Sequence, residues 1–344
     1  MRSRSIFKTV IFSLLPTVLL LVVIEGVLSL FGIGQPFIRE PRFWSGAMKL
    51  MQPDKYTGYR MKPKYSDGPV QLNSIGLRDD ELNQKADIRI LSMGDSCAFG
   101  WLIDDVRQTY AKRLQQSLNE GINKAGFSTQ VNVVNAGIPS FTAYQGLELY
   151  LNYLEPLARW DFMLVSFGWN ENPDVELDLE FSMRNVPVEN RIVRSLRDNV
   201  ARRLHLYNAM ESLWYRHLVK SVADPYLRAQ VQYEKHYTQL VRSARQNGTR
   251  VVIMAVIIPP DAQHALAKRM RVFNDITRGI AEREGALWLD LNKEFVNLSR
   301  SIRWFDDFHY DDKGHETVAR SLNAILLQPC LEKSSANMHV RSKP

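Results

Sequence analysis

The chain has 344 residues, with 44 Lys and Arg against 37 Asp and Glu for a net charge of +7, and 45% apolar with 10% aromatic content. This composition excludes a disordered, collagenous or coiled-coil protein and leaves room for one large α/β domain with additions. Cys97 and Cys330 are the only cysteines and stand far apart. They make neither a disulfide framework nor a CxxC zinc site, so the fold rests on its core.

Thr9 to Ile24 carry no charge, and after Glu25 the apolar character resumes from Gly26 to Ile33. A spanning helix needs about 20 apolar residues and a secretory core only about 7 to 15, so the length favours an anchor. No A-x-A cleavage site follows, and Arg2, Arg4 and Lys8 precede the run. The positive-inside rule then keeps the N-terminus cytoplasmic. Residues 1–34 are therefore expected to be a short cytoplasmic stub and one uncleaved transmembrane helix. Everything beyond about residue 34 is expected on the outer side of the membrane. A carboxylate deep in lipid costs about 2.5 to 3.5 kcal/mol, so Glu25 reads as an interfacial group near the helix end or as a contact to a partner helix.

Residues 35–85 show little periodicity and read as a connector lifting the domain off the bilayer. From residue 86 short apolar runs alternate with amphipathic stretches, the signature of βαβ units and a parallel sheet. Strands are expected at Ile88–Met93, Gln130–Val134, Asp161–Phe167, Arg250–Ile257 and Ala286–Leu289. Helices are expected at about Thr109–Ala125, Thr142–Tyr153, Pro225–Gln246, Asp261–Glu284 and Lys313–Leu327. Asn247-Gly248 and Glu284-Gly285 serve as helix stops. The domain so outlined spans 86–330, and the polar tail 331–344 reads as loose.

The stretch 174–224 is not needed by the alternating scheme and reads as a helical insertion. From Arg184 to Lys220 it holds eight basic and three acidic residues. Ile192, Leu196, Val200, Leu204, Tyr207, Met210 and Trp214 follow helical spacing. The basic side reads as a solvated face over the core, or alternatively as a contact for anionic lipid headgroups or an acidic glycan. Nucleic acid is not expected outside the cytoplasm.

The first strand ends in Gly94-Asp95-Ser96, which puts a serine at the carboxyl end of a parallel strand, where open α/β sheets place their ligands. Taken alone, the triplet is also an ordinary turn capped by Asp and Ser. Near the other end of the chain stands Asp306-Asp307-Phe308-His309. A serine hydroxyl needs a base, and the base needs a partner to hold its tautomer; His309 and Asp306, three residues apart, can supply both. Gly137 after the second strand and Asn170 after the third lie at carboxyl strand ends as well. The Ser96 N–H, the Gly137 N–H and the Asn170 side chain would make three oxyanion donors.

These segments resemble the four sequence blocks of the SGNH (GDSL-type) hydrolases, with Ser96, Gly137, Asn170 and His309 in the four named positions. The resemblance runs from about Ile88 to Leu327. Upstream, YTGYR at 56–60 and NSIGLR at 73–78 look like segments that precede the first block in membrane-anchored bacterial members. The resemblance implies a flavodoxin-like three-layer α/β/α fold with a five-stranded parallel sheet. It also implies Ser96 as nucleophile, His309 as base and Asp306 as its orienting acid, with no metal and no cofactor. Two departures stand out: Glu171 occupies the usual Asp position of the third block, and Tyr310 follows His309. Cys97 reads as a small packed residue and not a second nucleophile. Asp307 competes less well than Asp306 for the acid role, and His315 reads as part of the start of the last helix.

The leading functional expectation is a membrane-anchored extracytoplasmic ester hydrolase that removes O-acyl groups, such as acetyl, from a carbohydrate or cell-envelope substrate through an acyl-serine. The alternatives are an O-acetyltransferase acting on an exported glycan, a lipase or lysophospholipase, and a non-catalytic glycan-binding or assembly subunit. The intact set of Ser96, Asp306, His309 and Asn170 argues against the last.

Overall fold

The computed structural model describes residues 2–33, 47–54, 56–171, 196, 200–210, 213, 225–298, 301–306 and 308–341. Backbone contacts divide the chain into two units, Met1–Glu40 with Glu180–Pro225, and Pro41–Leu179 with Tyr226–Pro344.

In the smaller unit, α1 (Arg2–Leu30) is a helix of 29 residues. Its side chains are described from Leu14 onward, and the apolar ones between Leu14 and Val23 are exposed. Among the described residues no helix is long and apolar enough to cross a membrane. Glu25 makes its contact within the chain: its carboxylate accepts the backbone N–H groups of His205 (2.6 Å) and Leu206 (2.8 Å). The His205 ring donates to the Ile33 carbonyl at 3.0 Å. Around this clasp Leu196, Val200, Leu204, Met210 and Leu213 are exposed. Most of the basic residues between Arg184 and Lys220 lie outside the described residues.

The larger unit opens with two short hairpins, β1 (Met51–Asp54) with β2 (Gly58–Met61), and β3 (Ser66–Asp67) with β4 (Val70–Gln71). The sequence reads this region as a connector; instead Leu50, Met51, Tyr59, Met61, Leu72 and Leu77 are buried in the core of the unit. Their spacing is irregular because hairpins of two to four residues give too short a pattern to be recognised.

Five strands follow: β5 (Ile88–Gly94), β6 (Val131–Gly137), β7 (Phe162–Ser166), β8 (Arg250–Met254) and β9 (Leu287–Leu289). They form one parallel sheet in the order β6-β5-β7-β8-β9. Gly94 pairs with Gly137 on one side and Ser166 on the other, so the three strands that lead to the site end level with one another.

Between these strands run α2 (Ser96–Phe99), α3 (Tyr110–Lys124), α4 (Ala143–Leu149), α5 (Pro225–Gln246) and α6 (His264–Glu284), and after β9 come α7 (Asn292–Asn297) and α8 (Asp312–Arg341). Ile88, Ile90, Val133 and Leu164 pack with residues of α3, α7 and α8, whereas Leu91, Met93, Val134 and Val165 pack with α4, α5 and α6. Both faces of the sheet are therefore covered, which explains why its strands read as continuous apolar runs. The result is a three-layer α/β/α unit. The sequence ends the last helix at Leu327 and leaves a loose tail; α8 continues through Pro329 to Arg341. Leu322, Leu326 and Cys330 carry one buried stripe past the expected stop, Ser334 is buried, and Lys333 pairs with Asp161. Packing of that stripe outweighs the hydrogen bond that Pro329 cannot donate.

Candidate active site

The nucleophile candidate sits on a single helical turn directly after β5. Asp95 caps this turn by accepting the Cys97 N–H at 2.9 Å, and Gly100, in the left-handed region at φ 78°, closes it by donating to the Ser96 carbonyl at 3.1 Å. Ser96 is 6% exposed and Asp95 is buried. Burial pushes the Asp95 carboxyl up to about 7.

The loop before α8 brings the base to it. His309 Nε2 lies 2.8 Å from Ser96 Oγ, and His309 Nδ1 lies 2.6 Å from Asp306 Oδ2. The other carboxylate oxygen of Asp306 accepts the backbone N–H groups of His309 (2.8 Å) and Phe308 (3.0 Å). The spacing of three thus folds the loop back on itself and aims the imidazole. Burial tends to raise the Asp306 pKa, but the hydrogen bonds from His309 and Phe308 outweigh it and hold the carboxyl below its ordinary value. His309 is lowered, because burial disfavours the imidazolium more than Asp306 stabilises it. The Cys97 thiol, its own pKa raised by burial, donates to the Phe308 carbonyl at 3.5 Å and ties the two loops together. Asp307 lies outside the described residues.

Of the groups expected from sequence as oxyanion donors, Gly137 and Asn170 each have a partner within the chain. Gly137 is required for close approach: a Cβ there would lie 2.3 Å from the Phe99 nitrogen and 2.6 Å from the Ala98 carbonyl carbon. Its N–H, however, already donates to Asn135 Oδ1 at 3.0 Å. Three residues on, Ser140 is half-buried with φ 63°, an uncommon conformation for a residue with a side chain, and its N–H finds no acceptor among the described residues. Asn170 Nδ2 donates to the carbonyl of the adjoining Phe141 at 3.1 Å, which places the Ser140 loop beside Asn170. No residue-type signal marks Ser140, since a left-handed conformation in sequence is sought at glycine or asparagine.

Glu171 is buried and accepts the Ala143 N–H at 2.7 Å, the first backbone donor of α4, while Arg269 donates to its carbonyl. The extra methylene relative to aspartate lets the carboxylate reach α4 and fixes the backbone next to Asn170. Trp169 packs on Phe308 with ring centroids 5.3 Å apart, and Phe308 on His309 at 4.4 Å. His315 stands apart in the first turn of α8, accepting the Tyr110 N–H at 3.2 Å, and burial pushes its pKa down to about 3. It is a neutral structural group.

No curated protein matches the chain. Solved structures similar to it include LAE5, an alpha/beta hydrolase enzyme from the metagenome of Lake Arreo, Spain, at 18% identity over 72% of this chain and 97% of that one, with a TM-score of 0.47. Another is a variant of Axe2, an acetyl-xylooligosaccharide esterase from Geobacillus stearothermophilus, at 14% identity, 70% and 94% coverage and a TM-score of 0.47. A third is TesA, at 14% identity, 69% and 97% coverage and a TM-score of 0.44. The profile of the GDSL-like Lipase/Acylhydrolase family matches residues 92–317, a stretch that begins inside β5, ends in α8 and includes Ser96, Gly137, Asn170, Asp306 and His309. The chain belongs to the GDSL-like lipase/acylhydrolase family and is an ester-bond hydrolase.

Proposed function

We propose that the protein is a membrane-anchored extracytoplasmic serine esterase that removes short O-acyl groups, acetyl foremost, from a carbohydrate or cell-envelope substrate. The observation that carries the reading is the unbroken line from Asp306 through His309 to Ser96, with links of 2.6 and 2.8 Å.

In the reaction Ser96 Oγ attacks the ester carbonyl while its proton passes to His309 Nε2. The Asp306 carboxylate stabilises the imidazolium that forms. The negative charge on the tetrahedral oxygen is met by the Ser96 N–H, the Asn170 amide and the Ser140 N–H, with Gly137 acting as the close-packed floor that lets the nucleophile turn sit there. Collapse breaks the bond to the alcohol, which leaves with the proton from His309. Water, deprotonated by the same imidazole, then hydrolyses the acyl-serine. The small exposure of Ser96 (6%) and His309 (2%) favours a short acyl group. The half-exposed Trp169 and Phe308 beside the base offer an apolar wall to a ring-bearing alcohol.

The anchor is supported by the uncharged run Thr9–Ile24 behind Arg2, Arg4 and Lys8, and by the helical backbone of Arg2–Leu30. On this reading the catalytic domain faces the periplasm.

The test is turnover of p-nitrophenyl acetate against the octanoate by the full chain in detergent. Preference for acetate, abolished by Ser96→Ala, is expected. Preference for octanoate would replace the short-acyl reading with a lipase.

A further inference from the structure

The upstream segment 72–80 contains NSIGLR, which the reaction above does not use, and the structure aims Arg78 and the following Asp79 at backbone groups near Ser96. Asn73 first knots the segment: its side-chain oxygen accepts the N–H groups of Ile75 (3.1 Å) and Leu77 (2.9 Å), and its amide donates to the Asp80 carbonyl at 3.0 Å. Gly76 allows the turn, with φ 84° and only 2.5 Å between the place of a Cβ and the Met61 carbonyl oxygen. The knot delivers Arg78 and Asp79, neighbours in sequence, to the ends of two different strands.

Arg78 is 1% exposed, and its hydrogen-bond partners are carbonyl oxygens. Nη1 donates to Gly100 (2.6 Å) and Phe99 (3.4 Å), and Nη2 to Ile103 (2.5 Å) and Asp104 (3.4 Å). The guanidinium carbon also lies 5.1 Å from the centre of the Phe99 ring. These are the carbonyls at and just beyond the carboxyl end of α2, the groups a helix leaves unsatisfied. Asp79, paired with the buried Lys112, accepts the Asn135 N–H at 2.6 Å. Asn135 in turn donates to the Phe99 carbonyl at 3.4 Å and holds the Gly137 N–H. Both arms therefore converge on Phe99, three residues after the nucleophile.

We infer that the Asn73–Asp80 segment is a strap whose Arg78 and Asp79 position the Ser96 turn against the end of β6. A four-residue helix has no stability of its own, so its placement must come from what holds its ends. Nucleophilic attack depends on that placement to a fraction of an ångström. Arg78 and Asp79 are positioning residues; they act through the backbone of residues 99–104 and through Asn135. The inference rests on Ser96 being the nucleophile.

The experiment compares Arg78→Met, Arg78→Lys and Asp79→Asn in the full chain at 25 °C. It measures kcat and KM on p-nitrophenyl acetate and the rate of Ser96 labelling by a fluorophosphonate, both corrected for the folded fraction by circular dichroism. Arg78→Met is expected to lower kcat by about 10- to 100-fold with KM within about threefold, and to slow labelling in proportion. Arg78→Lys, able to reach fewer carbonyls, should fall between it and the parent. If Arg78→Met does not fold, the same ordering is expected of Arg78→Lys and Asp79→Asn. Folded variants that label and turn over at the parental rate, or that change only KM, overturn the strap. Full activity in Ser96→Ala overturns instead the nucleophile assignment beneath it.

Discussion

Asp306 holds His309 at two places: one carboxylate oxygen takes the ring Nδ1 at 2.6 Å and the other takes the backbone N–H of the same residue at 2.8 Å. Tautomer and loop shape are thereby set by one side chain. Asp306→Asn keeps a carbonyl oxygen for the backbone but loses the stabilisation of the imidazolium. It should lower kcat by about 10³- to 10⁴-fold, read on p-nitrophenyl acetate at matched folded fraction. A loss below tenfold would leave Ser96 and His309 as a dyad without a required acid.

The pH profile follows from the same contacts. Burial lowers the His309 pKa, so the neutral, basic form survives to pH values below the ordinary range for histidine. The acid limb of kcat/KM should therefore lie below about pH 6.5, with activity lost as pH falls through the lowered value. Removing the Asp306 charge takes away the contact that raises His309, so Asp306→Asn should shift the limb to still lower pH. A limb above pH 7 in the parent contradicts this electrostatic picture.

The oxyanion site gives a paired prediction. Asn170→Ala should cost about 10²- to 10³-fold in kcat with little change in KM, because a donor to the tetrahedral oxygen acts mainly in the transition state. Ser140→Gly retains the N–H and relieves the left-handed backbone. It should keep kcat within about threefold and raise stability by about 1 kcal/mol in urea unfolding. Loss of activity in Ser140→Gly would assign the role to the hydroxyl.

Glu171 fixes the backbone next to Asn170 through Ala143, at 2.7 Å. Glu171→Ala should destabilise by about 1 to 3 kcal/mol and lower kcat, while Glu171→Gln keeps the acceptor and most of both. Thermal melts and kinetics on the two variants separate these outcomes. Equal behaviour of the two would show that the carboxylate oxygen is not what holds the turn.

The sheet was legible because parallel strands buried on both faces leave unbroken apolar runs such as Ile88–Met93, and the first three runs are followed by residues that chemistry can use. Ser96, from its place after β5, and Asp306 and His309, from the loop before α8, come together in one hydrogen-bonded line as their residue types and the spacing of three suggest. Ser140 was not legible: the role proposed for it depends on a backbone angle and a free N–H, and glycine at 137 is the more obvious candidate by residue type. The hairpins from Met51 to Gln71 escape notice because strands of two to four residues are too short to show a period. The stretch 331–341 looks loose by composition, yet the stripe of Leu322, Leu326 and Cys330 draws the helix onward.

The central claim is that Ser96, activated by His309 and Asp306, carries the acyl group. The most direct measurement is tandem mass spectrometry of the protein quenched in acid during turnover of p-nitrophenyl acetate, with the acetyl group located within the peptide that holds both Ser96 and Cys97. An acetyl on Ser96 that builds up within one turnover, forms far more slowly in Asp306→Asn and is missing from Ser96→Ala is the predicted result. An acetyl on Cys97, or hydrolysis that continues undiminished in Ser96→Ala, would contradict it.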